Sequence, residues 1–298
     1  MAPDGYAWWY LDALSDDGRH ALTLIAFVGS VFSPYYARAR RRGPADPEHH
    51  VALNVALYGA TRRWTMTERG RASLQRTATS LRIGPSAMRW EGGVLCIDLA
   101  ELAAPWPARV CGRLRLEPQL GSADPVLLSA SGSHHWQPIA PRARVSVDLD
   151  APALRWQGDG YLDANWGGGP LEDAFVGWHW SRSALPDGGC LLQYDVQRRD
   201  GSLGSLNLRV GHGGDIETLE PQAVSTLPSS RWGLARQAQG PANLATTLED
   251  GPFYVRSMLV TPWRGQTLRT VHESLSLQRF SSPWVQALLP FRMPRRGG

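Results

Sequence analysis

The chain reads as an all-β protein of two antiparallel barrel- or sandwich-like domains in tandem, and three features predict it. Helical periodicity is nearly absent, while apolar and polar residues alternate at every second position in many stretches. Turn signals built on glycine and on Asp-Gly punctuate those stretches at short intervals. The third feature is a weak internal repeat. WWYLDALSDDGRHALTLIAF begins at Trp8 and WHWSRSALPDGGCLLQYDV at Trp178, an offset of about 170 residues. Each copy runs from an aromatic cluster through an Asp-Gly turn to an apolar strand.

Taken in chain order, the first copy of the repeat predicts an opening hairpin. SPYYARAR predicts a short helix started by Ser-Pro, since proline suits the first helical position. VALNVALYG (51–59) and SLQRTATSLRI (73–83) read as strands, and Gly92-Gly93 as the turn between AMRWE and VLCIDL. Gly158-Asp159-Gly160 reads as a turn before a strand that starts at Tyr161. Gly167-Gly168-Gly169-Pro170 breaks strand pairing and permits a hinge, which predicts domains over 1–166 and 167–298. The second hairpin then turns at Pro186-Asp187-Gly188, and Asp200-Gly201 marks the next turn. TLRTVHESLSLQRF (267–280) reads as a strand and SPWVQALL as a second short helix.

Composition narrows the function classes. With 43% apolar and 19% charged residues in 298, a packed core is expected and disorder is not. The net charge of +4 rests on arginine alone, since the chain holds no lysine. ARARRRG (37–43) and RMPRRGG (292–298) carry seven arginines between them, yet no nucleic-acid-binding motif accompanies them, so no nucleic-acid partner is expected. Cys96, Cys111 and Cys190 lack the spacing of a disulfide framework or a zinc site and read as buried free thiols of a reducing compartment. The longest apolar run, ALTLIAFVGSVF, is too short to span a bilayer and has no signal-peptide flank, which predicts a cytoplasmic protein.

The chemistry concentrates in GYLDANWGGGPLEDAFVGWHWSR, residues 160–182. Strand residues two apart share a face, so Tyr161, Asp163 and Asn165 point one way. In GSHHWQP, His134 and Trp136 share a face with His135 opposite; Trp178 and Trp180 share another with His179 opposite. An acid, an imidazole, a phenol and indoles converging on an apolar cavity suit protonation of an alkene. Burial favours the neutral acid, a protonated Asp is a general acid, and aromatic faces stabilise a cation. Asp163, His134, Tyr161 and Trp136 are the candidate catalytic residues; Trp178, Trp180, Trp166 and Asn165 are the candidate substrate-lining ones. The adjacent pairs His49-His50 and His134-His135 face opposite ways on a strand, so no metal site is expected.

YAWWYLDALSDDGRHALTLIAFVGSVFSPYYARARRRG, HHVALNVALYG, RWTMTERG, SHHWQPIAPRARVSVDL and the 160–182 stretch resemble the carotenoid 1,2-hydratase (hydroxyneurosporene synthase) family over about residues 5–285. The resemblance implies two lipocalin-like domains and addition of water to the terminal C1=C2 bond of an acyclic carotene, with no cofactor. It places functional roles on His134, Trp136, Tyr161 and Asp163, with Asp163 as proton donor. His134 would either orient Asp163 or accept the water proton. Glu68 in MTERG and Asp12 in WWYLDAL are the next acids in line. Rival readings are a related pericyclase or hydroalkoxylation enzyme and a carrier of hydrophobic ligands, which would have no need of Asp163. Carotenes partition into bilayers, so a peripheral attachment to the inner, photosynthetic membrane is expected. VFSPYYARARRRG and PWVQALLPFRMPRR, each with apolar residues beside arginines, would supply it.

Overall fold

The computed structural model describes residues 1–129 and 131–296. It is mostly β, at 57% strand, and among the described residues the strands of its sheets pair antiparallel. The chain forms two compact units. One is Met1–Pro170 joined by the segment that starts at Ala287; the other is Leu171–Gln286.

In the first unit the strands are β1 (Tyr6–Ser15), β2 (Ala21–Val28), β3 (Val51–Tyr58), β4 (Arg63–Arg69), β5 (Leu74–Arg76) and β6 (Ser80–Ile83), followed by β7 (Ser86–Glu91), β8 (Val94–Leu102), β9 (Arg109–Pro118), β10 (Val126–Leu127), β11 (His134–Ala151) and β12 (Leu154–Gly167). They form one sheet in the order β4-β3-β2-β1-β12-β11-β9-β8-β7-β6-β5, with β10 on β11. Thr65 of β4 bridges Ala103, just beyond β8, so the path from β4 to β8 returns on itself. The side chains turned into this ring are apolar, among them Leu11, Leu24, Val55, Leu114, Val147 and Leu162. Burying a side chain of that size contributes about 1.5–3 kcal/mol, so this layer drives closure. A cavity of about 360 Å³ opens into the ring beside Trp9, Leu81, Met88, Trp90, Ile139 and Leu162.

Between β2 and β3 lies α1 (Pro34–Arg40). Ser33 caps it by accepting from the Tyr35 and Tyr36 amides, and Pro34 occupies the first turn as its sequence predicts. The Tyr36 hydroxyl donates to the Gly5 carbonyl at 2.7 Å and pins the helix to the start of β1.

The second unit opens with α2 (Leu171–Ala174). Its strands are β13 (Phe175–Ala184), β14 (Cys190–Arg198), β15 (Leu203–Val210), β16 (Ile216–Thr218), β17 (Val224–Leu227), β18 (Arg236–Gln239), β19 (Asn243–Asp250), β20 (Tyr254–Trp263) and β21 (Gln266–Ser276), followed by α3 (Leu277–Phe280). The sheet order is β16-β15-β14-β13-β21-β20-β19, with β17 and β18 as a separate ribbon. Arg236 and Gln239 tie the ribbon to the sheet through Ser257 Oγ and the Leu206 carbonyl. The helix α4 (Pro283–Arg292) carries the chain back to the first unit. The repeat seen in the sequence is real architecture: each unit starts with a hairpin whose first strand lies between the second and the last, β2-β1-β12 and β14-β13-β21.

Four details differ from the sequence reading. Gly158-Asp159-Gly160 is not a turn but lies inside β12, which starts at Leu154. A Cβ at Gly158 would sit 1.8 Å from the Leu14 carbonyl oxygen, so glycine is there for close approach of β1. The stretch 73–83 is a hairpin, because the Thr77 hydroxyl accepts from the Thr79 and Ser80 amides and turns the chain. Residues 277–280 are helical, capped by the Ser276 hydroxyl accepting from the Arg279 amide. The units part at Pro170, and the C-terminal segment belongs with the first. Its reason is a backbone ladder: the Glu68 amide donates to the Pro294 carbonyl and the Arg296 amide to the Glu68 carbonyl, each at 2.9 Å. Gly297 and Gly298 lie outside the described residues.

Candidate active site

The face of β12 opposite the apolar ring interior carries Tyr161, Asp163 and Asn165, as alternation requires, all buried. Register brings two more strands to them. On β1, Trp8 lies opposite Asn165, Tyr10 opposite Asp163 and Asp12 opposite Tyr161. On β11, Trp136 lies opposite Asn165, and Pro138, which has no amide hydrogen to donate, lies opposite Asp163 at a register shift.

Asp163 is the hub. Its Oδ2 accepts from the Trp136 indole N–H and from the Tyr161 hydroxyl, both at 2.8 Å, and its Oδ1 accepts from the Asn165 side-chain amide at 3.2 Å. Asp163 is only 4% exposed. The Tyr10 and Tyr161 rings meet edge to face at 6.2 Å, and the Tyr10 hydroxyl donates to Asp12 Oδ2 at 3.0 Å.

His134 sits at the end of this face, with its Nδ1 2.9 Å from the Tyr6 hydroxyl and its ring stacked on Tyr6 at 5.8 Å. Burial pushes the Tyr6 hydroxyl far above the ordinary phenol range, so it stays protonated. Gly167 makes the pair possible. It lies opposite both Tyr6 and His134, and a Cβ there would come within 2.6 Å of the imidazole Nδ1 and 2.7 Å of the Tyr6 ring.

Glu68 is engaged elsewhere. Its Oε1 is 2.8 Å from His50 Nδ1 and pairs with the Arg295 guanidinium, so this acid anchors the C-terminal segment. Trp166 points away from Asp163 and stacks on His135 at 5.0 Å, as the alternation of both strands demands.

Trp178 and Trp180 belong to β13 of the second unit, where both are buried. Trp178 lines a cavity of about 780 Å³ with His179, Asp195, Val196 and Leu203. The strand registers of the two units correspond. Tyr10 of the first strand faces Asp163 of the last in one, and Trp180 faces Glu273 in the other. Glu273 pairs with Arg256 and accepts from the Tyr254 hydroxyl at 2.7 Å. On the other face, Ser181, His272, Ser274 and His179 form a hydrogen-bonded chain with contacts of 2.9, 3.1 and 2.9 Å. Burial lowers His179 to about 4 and His272 to about 3, so both are neutral near pH 7.

The family model described as carotenoid hydratase CrtC matches residues 24–298. The chain belongs to this family. It is similar to the acyclic carotenoid 1,2-hydratase of Thiocapsa roseopersicina, with 54% identity over all of this chain and 75% of that protein. The acyclic carotenoid 1,2-hydratase of Rubrivivax gelatinosus is 46% identical over 99% of this chain and 75% of that protein. Among solved structures, a putative AttH from Nitrosomonas europaea superposes with a TM-score of 0.63 at 16% identity, covering 91% of this chain and 92% of its own. That likeness supports the lipocalin-like fold.

In this carotenoid hydratase, a hydro-lyase, the structure brings together Asp163, Trp136, Tyr161 and Asn165, and sets His134 with Tyr6 on the same face. Tyr6, Trp8 and Tyr10 on β1 also belong to this face of the hydratase, beyond the candidates picked from the sequence. Their signal was present, since Tyr6, Trp8, Tyr10 and Asp12 follow the same every-second-residue pattern as Tyr161 and Asp163.

Proposed function

We propose that the protein adds water across the terminal C1=C2 bond of an acyclic carotene such as neurosporene or lycopene. The observation that carries this reading is the buried Asp163 carboxyl, held by Trp136, Tyr161 and Asn165 in an aromatic setting, in a chain of the carotenoid hydratase family. Protonated Asp163 gives its proton to C2, and the π electrons of the double bond form the new C–H bond. The positive charge is left at C1, where three carbon substituents stabilise it. Oδ1, whose contact to Asn165 is the longer, is the oxygen suited to deliver the proton; the Trp136 and Tyr161 donors stabilise the carboxylate that results. The aromatic faces of Tyr161, Trp136 and Tyr10 attract the cation. Water attacks C1, and the proton released from the oxonium returns to Asp163, giving the 1-hydroxy-1,2-dihydro product and the starting acid.

His134, bound to Tyr6, either orients the acid or relays the water proton. The substrate is drawn from the membrane, and the protein works as a cytoplasmic, peripherally attached enzyme. Among the described residues no helix is long and apolar enough to cross a membrane. The test is incubation of the purified protein with detergent-dispersed lycopene, followed by mass spectrometry. A product heavier by one water that forms with the parent and not with Asp163→Asn is expected. Equal yields from the two would sink the assignment.

A further inference from the structure

Trp106 is 84% exposed and Phe291 71% exposed, and Leu288 is exposed one helical turn before Phe291. Large apolar side chains gathered in one exposed patch mark a surface that meets something else. They are connected through the fold of the first unit. Trp106 lies in the loop between β8 and β9, where the Ala104 amide donates to the Trp64 carbonyl at 2.9 Å. Arg292 lies over the Trp64 ring, 4.3 Å from its centroid, and Arg292 follows Phe291. Trp106, Trp64, Arg292 and Phe291 therefore gather at the edge where Thr65 bridges Ala103.

The charge at this edge has one sign. The stretches 59–66, 102–109 and 287–296 hold Arg62, Arg63, Arg109, Arg292, Arg295 and Arg296 and contain no Asp or Glu. Of the acids on the two bridging strands, Glu68 and Glu101 are buried and paired with Arg295 and Arg69, and Asp98 pairs with Arg89 and Arg113.

We infer that this edge is the docking face for an anionic lipid bilayer. Tryptophan settles at the headgroup level, phenylalanine and leucine enter the acyl boundary, and arginines meet anionic headgroups. The inference rests on the proposed function in one respect: a carotene substrate resides in the bilayer, so the enzyme must meet that surface.

The experiment is flotation of the full chain with phosphatidylcholine vesicles, with or without phosphatidylglycerol. The parent is expected to float with the anionic vesicles and little with the neutral ones. Trp106→Ser with Phe291→Ser is expected to weaken binding roughly tenfold, and Arg62→Ser with Arg109→Ser roughly fivefold per charge at low salt. Trp106 and Phe291 are exposed, so the double variant is expected to keep its circular dichroism and its rate on detergent-dispersed lycopene. A folded double variant that floats like the parent would overturn the inference, as would equal capture by neutral vesicles. A parent dimer that the double variant dissolves, with no vesicle binding, would assign the face to a second copy and overturn it too. A parent that floats but does not hydrate detergent-dispersed carotene would remove the proposed function and leave the docking face standing.

Discussion

The indole N–H of Trp136 on β11 donates to the carboxylate of Asp163 on β12 at 2.8 Å, across two strands joined by a short turn. A hydrogen bond to a carboxylate contributes about 1.5–3 kcal/mol when one partner is charged. If Asp163 gives up a proton during turnover, that donation strengthens as the charge develops.

Asp163→Asn should therefore abolish the proton donor while keeping its shape. Activity is expected to fall by at least the roughly 10²–10⁴ that a positioned general acid contributes. Unfolding stability should drop by no more than about 2 kcal/mol. Product formation from lycopene, beside a denaturant melt of the same preparation, reads both.

Trp136→Phe keeps an aromatic face for the cation and removes the N–H donor. The lost hydrogen bond predicts a roughly 10- to 100-fold lower rate. Trp136→Ala should lose more, because the ring goes as well. Rates of the two variants in one assay rank these contributions, and equal rates would count against a role for the ring.

Gly167→Ala tests the Tyr6–His134 pair without touching either side chain. The added methyl would come within 2.6 Å of His134 Nδ1, so the pair must open. Activity is expected to fall as it does in His134→Ala. A parental rate from a folded Gly167→Ala protein would show that this hydrogen bond does not matter to turnover.

Glu68→Gln separates a structural acid from the catalytic one. Removing one partner of a buried ion pair costs about 3–5 kcal/mol, so the melting temperature should fall. The folded fraction should keep its specific activity within a few-fold. Loss of activity without loss of stability would instead place Glu68 in the chemistry.

The paired histidines of the second unit predict a pH dependence of stability. Burial holds His179 near 4 and His272 near 3, below the ordinary imidazole value. The unfolded chain then binds more protons than the folded one below about pH 6.5. Their contribution is complete above that pH and is lost as pH falls toward 4 and then 3, by about 1.4 kcal/mol per pH unit for each histidine. Melting temperatures from pH 7 to pH 4 should decline, and less steeply in His272→Asn. An unchanged slope in that variant would remove His272 from the account.

Alternation alone determined which residues share a strand face, because side-chain direction in a strand is a local property of the backbone. Tyr161 with Asp163, His134 with Trp136, and His135 opposite them were legible for that reason, as were the two hairpins, whose Asp-Gly turns are local chemistry. The glycines were less legible. Gly158 serves a close approach by a strand distant in sequence, and nothing in the Gly-Asp-Gly stretch itself distinguishes that from a turn. Register was the part only the tertiary structure decided. Tyr10 faces Asp163 and Tyr6 faces Gly167 through a pairing between segments more than a hundred residues apart, and that pairing brings Tyr6 to the His134 that Gly167 also faces. Those pairings are set by apolar side chains filling the ring on the far side of the sheet, since a slip of one residue would turn that whole set toward the polar face.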